Sequence, residues 1–253
     1  MPRKSDTNSQ PASRKRSLTE IPSGQNSGRS NARIYPELVP HTATPSEDLA
    51  ALALKACLIA RDAAFNLRDL LDHSSRMAFL AIKDCEKELD LIERQIDDQL
   101  PAAITRVNER RARQLLTSLK STTDLERIGD LVMSVALRVQ ARQEKIPASD
   151  LRQLVEMSVI LRDMLESIHK GFSTLNLDCA RKVLQTDKQI DHLCHGLFQK
   201  HLAEGGSVSS FEILLMAQAL ERAGDHTTNL AENLYSLIEG RSLRHAPKKR
   251  AAP

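Results

Sequence analysis

Four pairs of acidic residues share one spacing: Glu86 and Asp90, Glu126 and Asp130, Asp187 and Asp191, Glu221 and Asp225. Four residues apart on an α-helix, two carboxylates lie on one face, about one turn apart. Left alone, such a pair destabilises an isolated helix by roughly 0.2–0.5 kcal/mol. A shared cation removes that repulsion. Carboxylate oxygens from two neighbouring helices suit hard ions such as Mg²⁺, Mn²⁺, Ca²⁺ or iron. Neutralisation by bases is the competing reading, because Lys87, Arg127, Lys188 and Arg222 directly follow an acid of each pair.

Two glycines favour the shared cation. Gly129 and Gly224 each precede the aspartate of a pair in what reads as mid-helix, where glycine costs about 1 kcal/mol relative to alanine. A position without Cβ lets another helix come close and brings carboxylates from both together. Tight helix packing alone also accounts for these glycines. Other chemistry is sparse. Glu166 and His169 form one ExxH step, whereas a di-iron carboxylate bundle needs two. His192, Cys194 and His195 crowd one helix but project differently, with no second soft-ligand cluster to complete a zinc site. No Gly-rich phosphate loop, GxSxG elbow or Cys/His pair with a third partner is present, and no catalytic residue is expected.

The elements that must position the acids are helical. Aromatic residues make up 3% of the chain, with no Trp, and Ala, Leu, Glu, Lys, Arg and Gln dominate the middle. Helices are expected over about Glu47–Leu71 with Ser46 as cap, Ser75–Gln99 stopping before Pro101, and Ala103–Arg142. The second set covers Ser149–Phe172 with Ser149 as cap, Asp178–Ala203 ending at Gly205-Gly206, and a helix from after Ser207 to Gly240. Along the last of these, Ile213, Ala217, Leu220, Gly224, Thr227, Ala231, Leu234 and Ile238 alternate steps of four and three, the seam of a shallow-angle antiparallel bundle.

The helices repeat. Leu125-Glu-Arg-Ile-Gly-Asp130 returns 95 residues later as Leu220-Glu-Arg-Ala-Gly-Asp225, and Glu86-Lys-Glu-Leu-Asp90 returns after 101 as Asp187-Lys-Gln-Ile-Asp191. The expected fold is all-α: two tandem antiparallel three-helix bundles, residues 46–144 and 145–240, related by an internal pseudo-twofold. Residues 1–45, rich in Ser, Pro, Asn and Arg, read as a disordered basic tail, and 241–253 as a second basic tail. Cys57, Cys85, Cys179 and Cys194 form no CxxC pair and read as small buried side chains. The N-terminus lacks the apolar stretch of a signal peptide, and no apolar run reaches bilayer length. Scarce aromatics and the lack of a basic helix face argue against nucleic acid as a partner.

The duplicated fingerprint, Leu125–Asp130 and Leu220–Asp225, with its companions Glu86–Asp90 and Asp187–Asp191, resembles that of the PhoU family over about Glu47–Gly240. The resemblance implies a non-enzymatic, cytoplasmic negative regulator of the phosphate-starvation response. It implies coupling of the phosphate ABC transporter, through its ATPase subunit, to a sensor histidine kinase, with membrane association through those partners and homodimerisation. It also implies metal clusters held by Glu86, Asp90, Glu126 and Asp130 in one half and by Asp187, Asp191, Glu221 and Asp225 in the other, without distinguishing Mg, Mn, Fe or Zn. A carboxylate-bridged metal enzyme or metal store is the alternative. Ser134 stands where the second copy has Asn229, Cys194 where the first has Glu93, and Ala223 where the first has Ile128, so equal metal occupancy of the two halves is not expected.

Overall fold

The computed structural model describes residues 45–105 and 107–241, with side chains from 48 onward. These form six helices and no strand: α1 (Pro45–His73), α2 (Arg76–Ile104), α3 (Glu109–Ala141), α4 (Ala148–Thr174), α5 (Leu177–Ala203) and α6 (Val208–Glu239). The all-α expectation holds. The two tails fall outside the described residues, apart from Pro45, which opens α1, and Arg241.

Helices α1, α4 and α6 each bury the apolar stripe that their spacing marks. Leu49, Ala56, Ile59, Ala63, Leu67 and Leu70 of α1 are buried, as are Leu154, Ser158, Leu161, Leu165 and Ile168 of α4. The α6 seam is buried from Ile213 to Leu234, and Ile238 packs at its edge. Helix α1 packs on α2, α3 and α4, while α4 packs on α5 and α6, and α3 packs on α6. Among the described residues, α2 touches only α1 and α3, and α5 only α4 and α6. The inner helices α1, α3, α4 and α6 therefore share one continuous core, with α2 and α5 laid on its outside. Ion pairs cross between the halves: Arg61 donates to Glu166 at 2.9 Å, and Arg138 donates to Glu212 at 2.8 Å.

Helix ends differ from expectation in three places. Pro101 does not stop α2, which runs on to Ile104. Proline removes only the N–H that would donate to Asp97 O, and its fixed φ of about −65° is itself helical, so α2 continues for three more residues before it ends. The chain then turns extended at Thr105, and α3 starts only after Asn108, whose Oδ1 accepts from Arg111 N at 2.9 Å. In α4 the cap position is Pro147, without a side-chain bond, and Ser149 lies inside the helix accepting from Lys200 Nζ at 2.8 Å. Helix α1 begins at Pro45, so Ser46 also lies inside its helix.

Candidate functional site

The acid pairs of each half meet across the groove between an outer and an inner helix. Glu86 and Asp90 on α2 face Glu126 and Asp130 on α3; Asp187 and Asp191 on α5 face Glu221 and Asp225 on α6. The glycines permit the approach. A methyl on Gly129 would stand 2.6 Å from Leu89 Cδ1 and 3.9 Å from Glu86 Cα. One on Gly224 would stand 2.9 Å from Asp187 Oδ1 and 3.3 Å from Ile190 Cδ1. Leu89 and Ile190 are repeat equivalents, both buried, and each fills the floor beneath its acid cluster.

Crowding and partial burial disfavour the charged forms. Burial, then the nearby Asp130, raises Glu126 to about 7, with Glu93 and Asp90 adding to the effect and Arg127 opposing it. Burial raises Asp187 to about 6, with Asp191, Asp225 and Glu221 adding. Glu86 is raised by burial and by Asp90 and Asp130. Asp191 is raised by burial and by Asp225, and Glu221 by burial, Asp225 and Asp191. All eight residues thus fall into two clusters, each drawing on two helices.

Two carboxylate oxygens are buried without a hydrogen-bond partner: Glu126 Oε2 and Asp187 Oδ1. Arg127 Nε lies 3.5 Å from Glu126 Oε2, near enough for an ion pair but not for a hydrogen bond. Unpartnered buried acceptors among like charges fit a hard cation, so the donor sets suit such an ion chemically. As placed, no three His, Cys, Asp or Glu side chains among the described residues converge tightly enough to hold a metal ion. Chelation of one ion would require the carboxylates to swing together against their mutual repulsion. In the second half Cys194 joins the groove, lining a hollow of about 260 Å³ with Asp191, His195 and Glu221. Burial and the adjoining carboxylates push its thiol up to about 11, so it stays protonated at neutral pH.

The remaining sequence candidates separate from these clusters. Glu166 is exposed and engaged by Arg61, which removes the ExxH step from any core site. His192 is exposed, and His195 lies 2.8 Å from Gln199. All four cysteines are free.

Two polar constellations escaped the sequence reading. Between the halves, Asp124 of α3 receives His226 Nδ1 at 2.9 Å, Asn229 Nδ2 at 3.1 Å and Asn233 Nδ2 at 3.5 Å, all from α6. The available signal was a mismatch: position 124 corresponds to Ala219 in the other copy. At the start of α4, the fully buried Asp150 accepts from Lys200 Nζ at 2.6 Å and lies 3.2 Å from His201 Nε2. That contact ties the start of α4 to the end of α5, and nothing in the local sequence marks it.

Comparison with known proteins agrees with this duplicated architecture. The family model described as the PhoU domain matches twice, over residues 54–139 and 154–234. The chain belongs to the PhoU family. A phosphate-specific transport system accessory protein PhoU homolog from Xylella fastidiosa is 26% identical over 204 residues, covering 70% of this chain and 86% of that one. A Thermotoga maritima homolog of the same description is 27% identical over 171 residues, covering 64% and 74%. The crystal structure of PhoU from Pseudomonas aeruginosa superposes with a TM-score of 0.71 at 23% identity, covering 78% of this chain and 98% of that one. The phosphate transport system regulatory protein PhoU from Streptococcus pneumoniae gives 0.67 at 22% identity, covering 78% and 97%. Both structures share the helical-bundle fold. No helix among the described residues is long and apolar enough to cross a membrane.

Proposed function

We propose that this PhoU-family protein is a negative regulator of the phosphate-starvation response. It acts as a cytoplasmic, homodimeric adaptor that links the ATPase subunit of a phosphate transporter to a sensor histidine kinase. The observation that carries the reading is the doubled family match, with an acid cluster in the same groove of each copy. The relatives' description as accessory proteins of phosphate-specific transport supports the transporter side.

The eight acids are proposed to hold divalent cations or iron, Glu86, Asp90, Glu126 and Asp130 in one groove, Asp187, Asp191, Glu221 and Asp225 in the other. A cation bound there supplies neutralisation of the carboxylates and a clamp between neighbouring helices. The protein's own part is to collect the oxygens: Gly129 and Gly224 set the helix spacing, while Leu89 and Ile190 close the grooves from beneath. This fixes the angle of the outer helices α2 and α5, which among the described residues no contact with the opposite half restrains. Those outer faces are where a partner reads the state of the groove.

The test is a phosphate-regulated phosphatase reporter in a strain lacking the gene, grown in abundant phosphate. High output, returned to low by the wild-type gene but not by one carrying Asp130→Ala and Asp225→Ala, is expected. Low output in the deletion strain, with no paralogue present, contradicts the regulatory reading.

A further inference from the structure

The two grooves differ in what stands beside their acids. One turn beyond Asp90, α2 carries Glu93 and Arg94; at the same places beyond Asp191, α5 carries Cys194 and His195. An oxygen ligand and a base are thus exchanged for a sulfur and an imidazole nitrogen. Arg94 reaches back to Asp90 at 3.4 Å, whereas His195 Nε2 is held by Gln199 at 2.8 Å, which leaves Nδ1 for another partner.

Spacing along α5 alone leaves Cys194 and His195 without companions, since His192 projects differently and is exposed. The acids supply them. Asp191, Cys194 and His195 stand at i, i+3 and i+4, one face of a helix, and together with Glu221 of α6 they line a solvent-open hollow of about 260 Å³. Cys194 is 8% exposed and has no hydrogen-bond partner among the described residues. The charges of Glu221 and Asp191 bear on its thiol. A cysteine that served only as a small apolar filler would gain nothing from two carboxylates and an imidazole on the same wall. Those are the companions a metal-ligating cysteine needs.

We propose that the second groove is a site for a borderline-soft ion, Zn²⁺, held by Cys194 and His195 together with Asp191 and Glu221. This rests on the reading of the grooves as cation sites and adds which ion the second one takes. Sulfur and imidazole ligands favour Zn²⁺ over Mn²⁺ or Mg²⁺, and four N, O and S donors match the four positions of a structural zinc site. As placed, no three of these side chains converge on one point, so the site closes as the ion enters. Coordination sends the thiol proton to solvent and leaves a thiolate on the ion. The first groove, with Glu93 for the sulfur and Arg94 for the imidazole, offers oxygen ligands alone and keeps the preference of a hard site. The two halves then answer to different ions, and zinc clamps α5 to α6 without touching α2 or α3.

The experiment titrates the metal-free full chain with Co²⁺, the spectroscopic substitute for Zn²⁺, and then with Zn²⁺ and Mn²⁺ by calorimetry. A near-ultraviolet thiolate-to-cobalt charge-transfer band is expected in the wild type. It is lost in Cys194→Ser and in Asp191→Ala/Glu221→Ala, and kept in Glu126→Ala/Asp130→Ala. Cys85→Ser and Cys179→Ser also keep it, which assigns the band to Cys194 even if Cys194→Ser folds poorly, because Cys57 is 1% exposed within the core. With unchanged circular dichroism, Cys194→Ser weakens Zn²⁺ binding by about tenfold or more, a loss that even a group orienting a ligand can cause. Its Mn²⁺ affinity stays the same. A Co²⁺ complex without the band, or Zn²⁺ affinity indifferent to Cys194→Ser, overturns the proposal, and Mn²⁺ binding in the same protein then leaves the cation reading intact. Binding of neither Zn²⁺ nor Mn²⁺ overturns both.

Discussion

In the first half of the molecule bases reach the acids: Arg94 lies 3.4 Å from Asp90, and Arg127 lies 3.5 Å from Glu126 and 3.7 Å from Asp130. In the second half no Lys or Arg among the described residues makes an ion pair with Asp187, Asp191, Glu221 or Asp225. The position that follows Asp90 by four is Arg94; its counterpart after Asp191 is His195, which turns to Gln199 instead. The orphaned oxygen also changes helix, from Glu126 on inner α3 to Asp187 on outer α5. Duplication has kept the backbone plan and the glycine beneath each groove, while neutralisation has diverged. A cation entering the first groove competes with bases ion-paired to the acids, whereas in the second Arg222 bears on Glu221 without forming an ion pair. The second groove should therefore load first.

The floors of the grooves should respond alike. Leu89→Ala and Ile190→Ala each remove a fully packed aliphatic side chain, with an expected loss of about 2–5 kcal/mol by denaturant unfolding. A large difference between them would show that one half carries most of the stability. Next comes the hub that only one copy possesses. Asp124→Ala strands His226, Asn229 and Asn233 at the α3–α6 contact and should cost about 1–3 kcal/mol. Ala219→Ser, at the equivalent position, adds a small polar side chain without such partners and should cost less.

Acidity separates the grooves more finely. Glu126 and Asp187 hold protons in the folded state at pH values where the unfolded chain has released them. The native state therefore binds more protons, and stability of the cation-free protein falls as pH rises. For Asp187 the fall runs from about 4 to about 6, and for Glu126 from about 4.5 to about 7. Melting curves of the chelator-treated protein should decline across that range, Asp187→Asn flattening the lower part and Glu126→Gln the upper. Saturating Mn²⁺ should abolish the decline.

The smallest effect is expected at the glycines. In Gly129→Ala the new methyl meets Leu89 Cδ1, the end of a flexible side chain, and alanine regains about 1 kcal/mol of helix propensity, so net stability shifts by about 1 kcal/mol or less. In Gly224→Ala the methyl meets Asp187 Oδ1, so a carboxylate of the proposed cation site moves. Stability again changes little, but Mn²⁺ affinity at the second groove drops by about tenfold, measured by calorimetry, equivalent to about 1.4 kcal/mol.

Most of this organisation was legible from spacing. The apolar seam of α6 and the cap, proline and glycine signals marked the helices, and the acid-xxx-acid steps paired the carboxylates on each of four helices, while their grouping by halves came with the family resemblance. Period and repeat are properties of a single helix, which is why they survive in the sequence. Ends and cross-helix contacts are not. Pro101 reads as a stop because proline ends most helices, yet here it sits close enough to the end to be carried. Ser149 reads as a cap until Lys200, 51 residues away, claims its hydroxyl. The Asp124 hub and the Asp150 ion pairs join residues 50 or more positions apart, with no periodic trace.

The central claim, that the two grooves are cation sites of unequal strength, is tested most directly by titrating Mn²⁺ into the metal-free full chain by calorimetry. Wild type is compared with the Asp187→Ala/Asp225→Ala and Glu126→Ala/Asp130→Ala double variants. Two classes of site are expected, the tighter lost in the first variant and the weaker in the second. Titration curves unchanged by either variant, or loss of the tighter class with Glu126 and Asp130, would contradict the account.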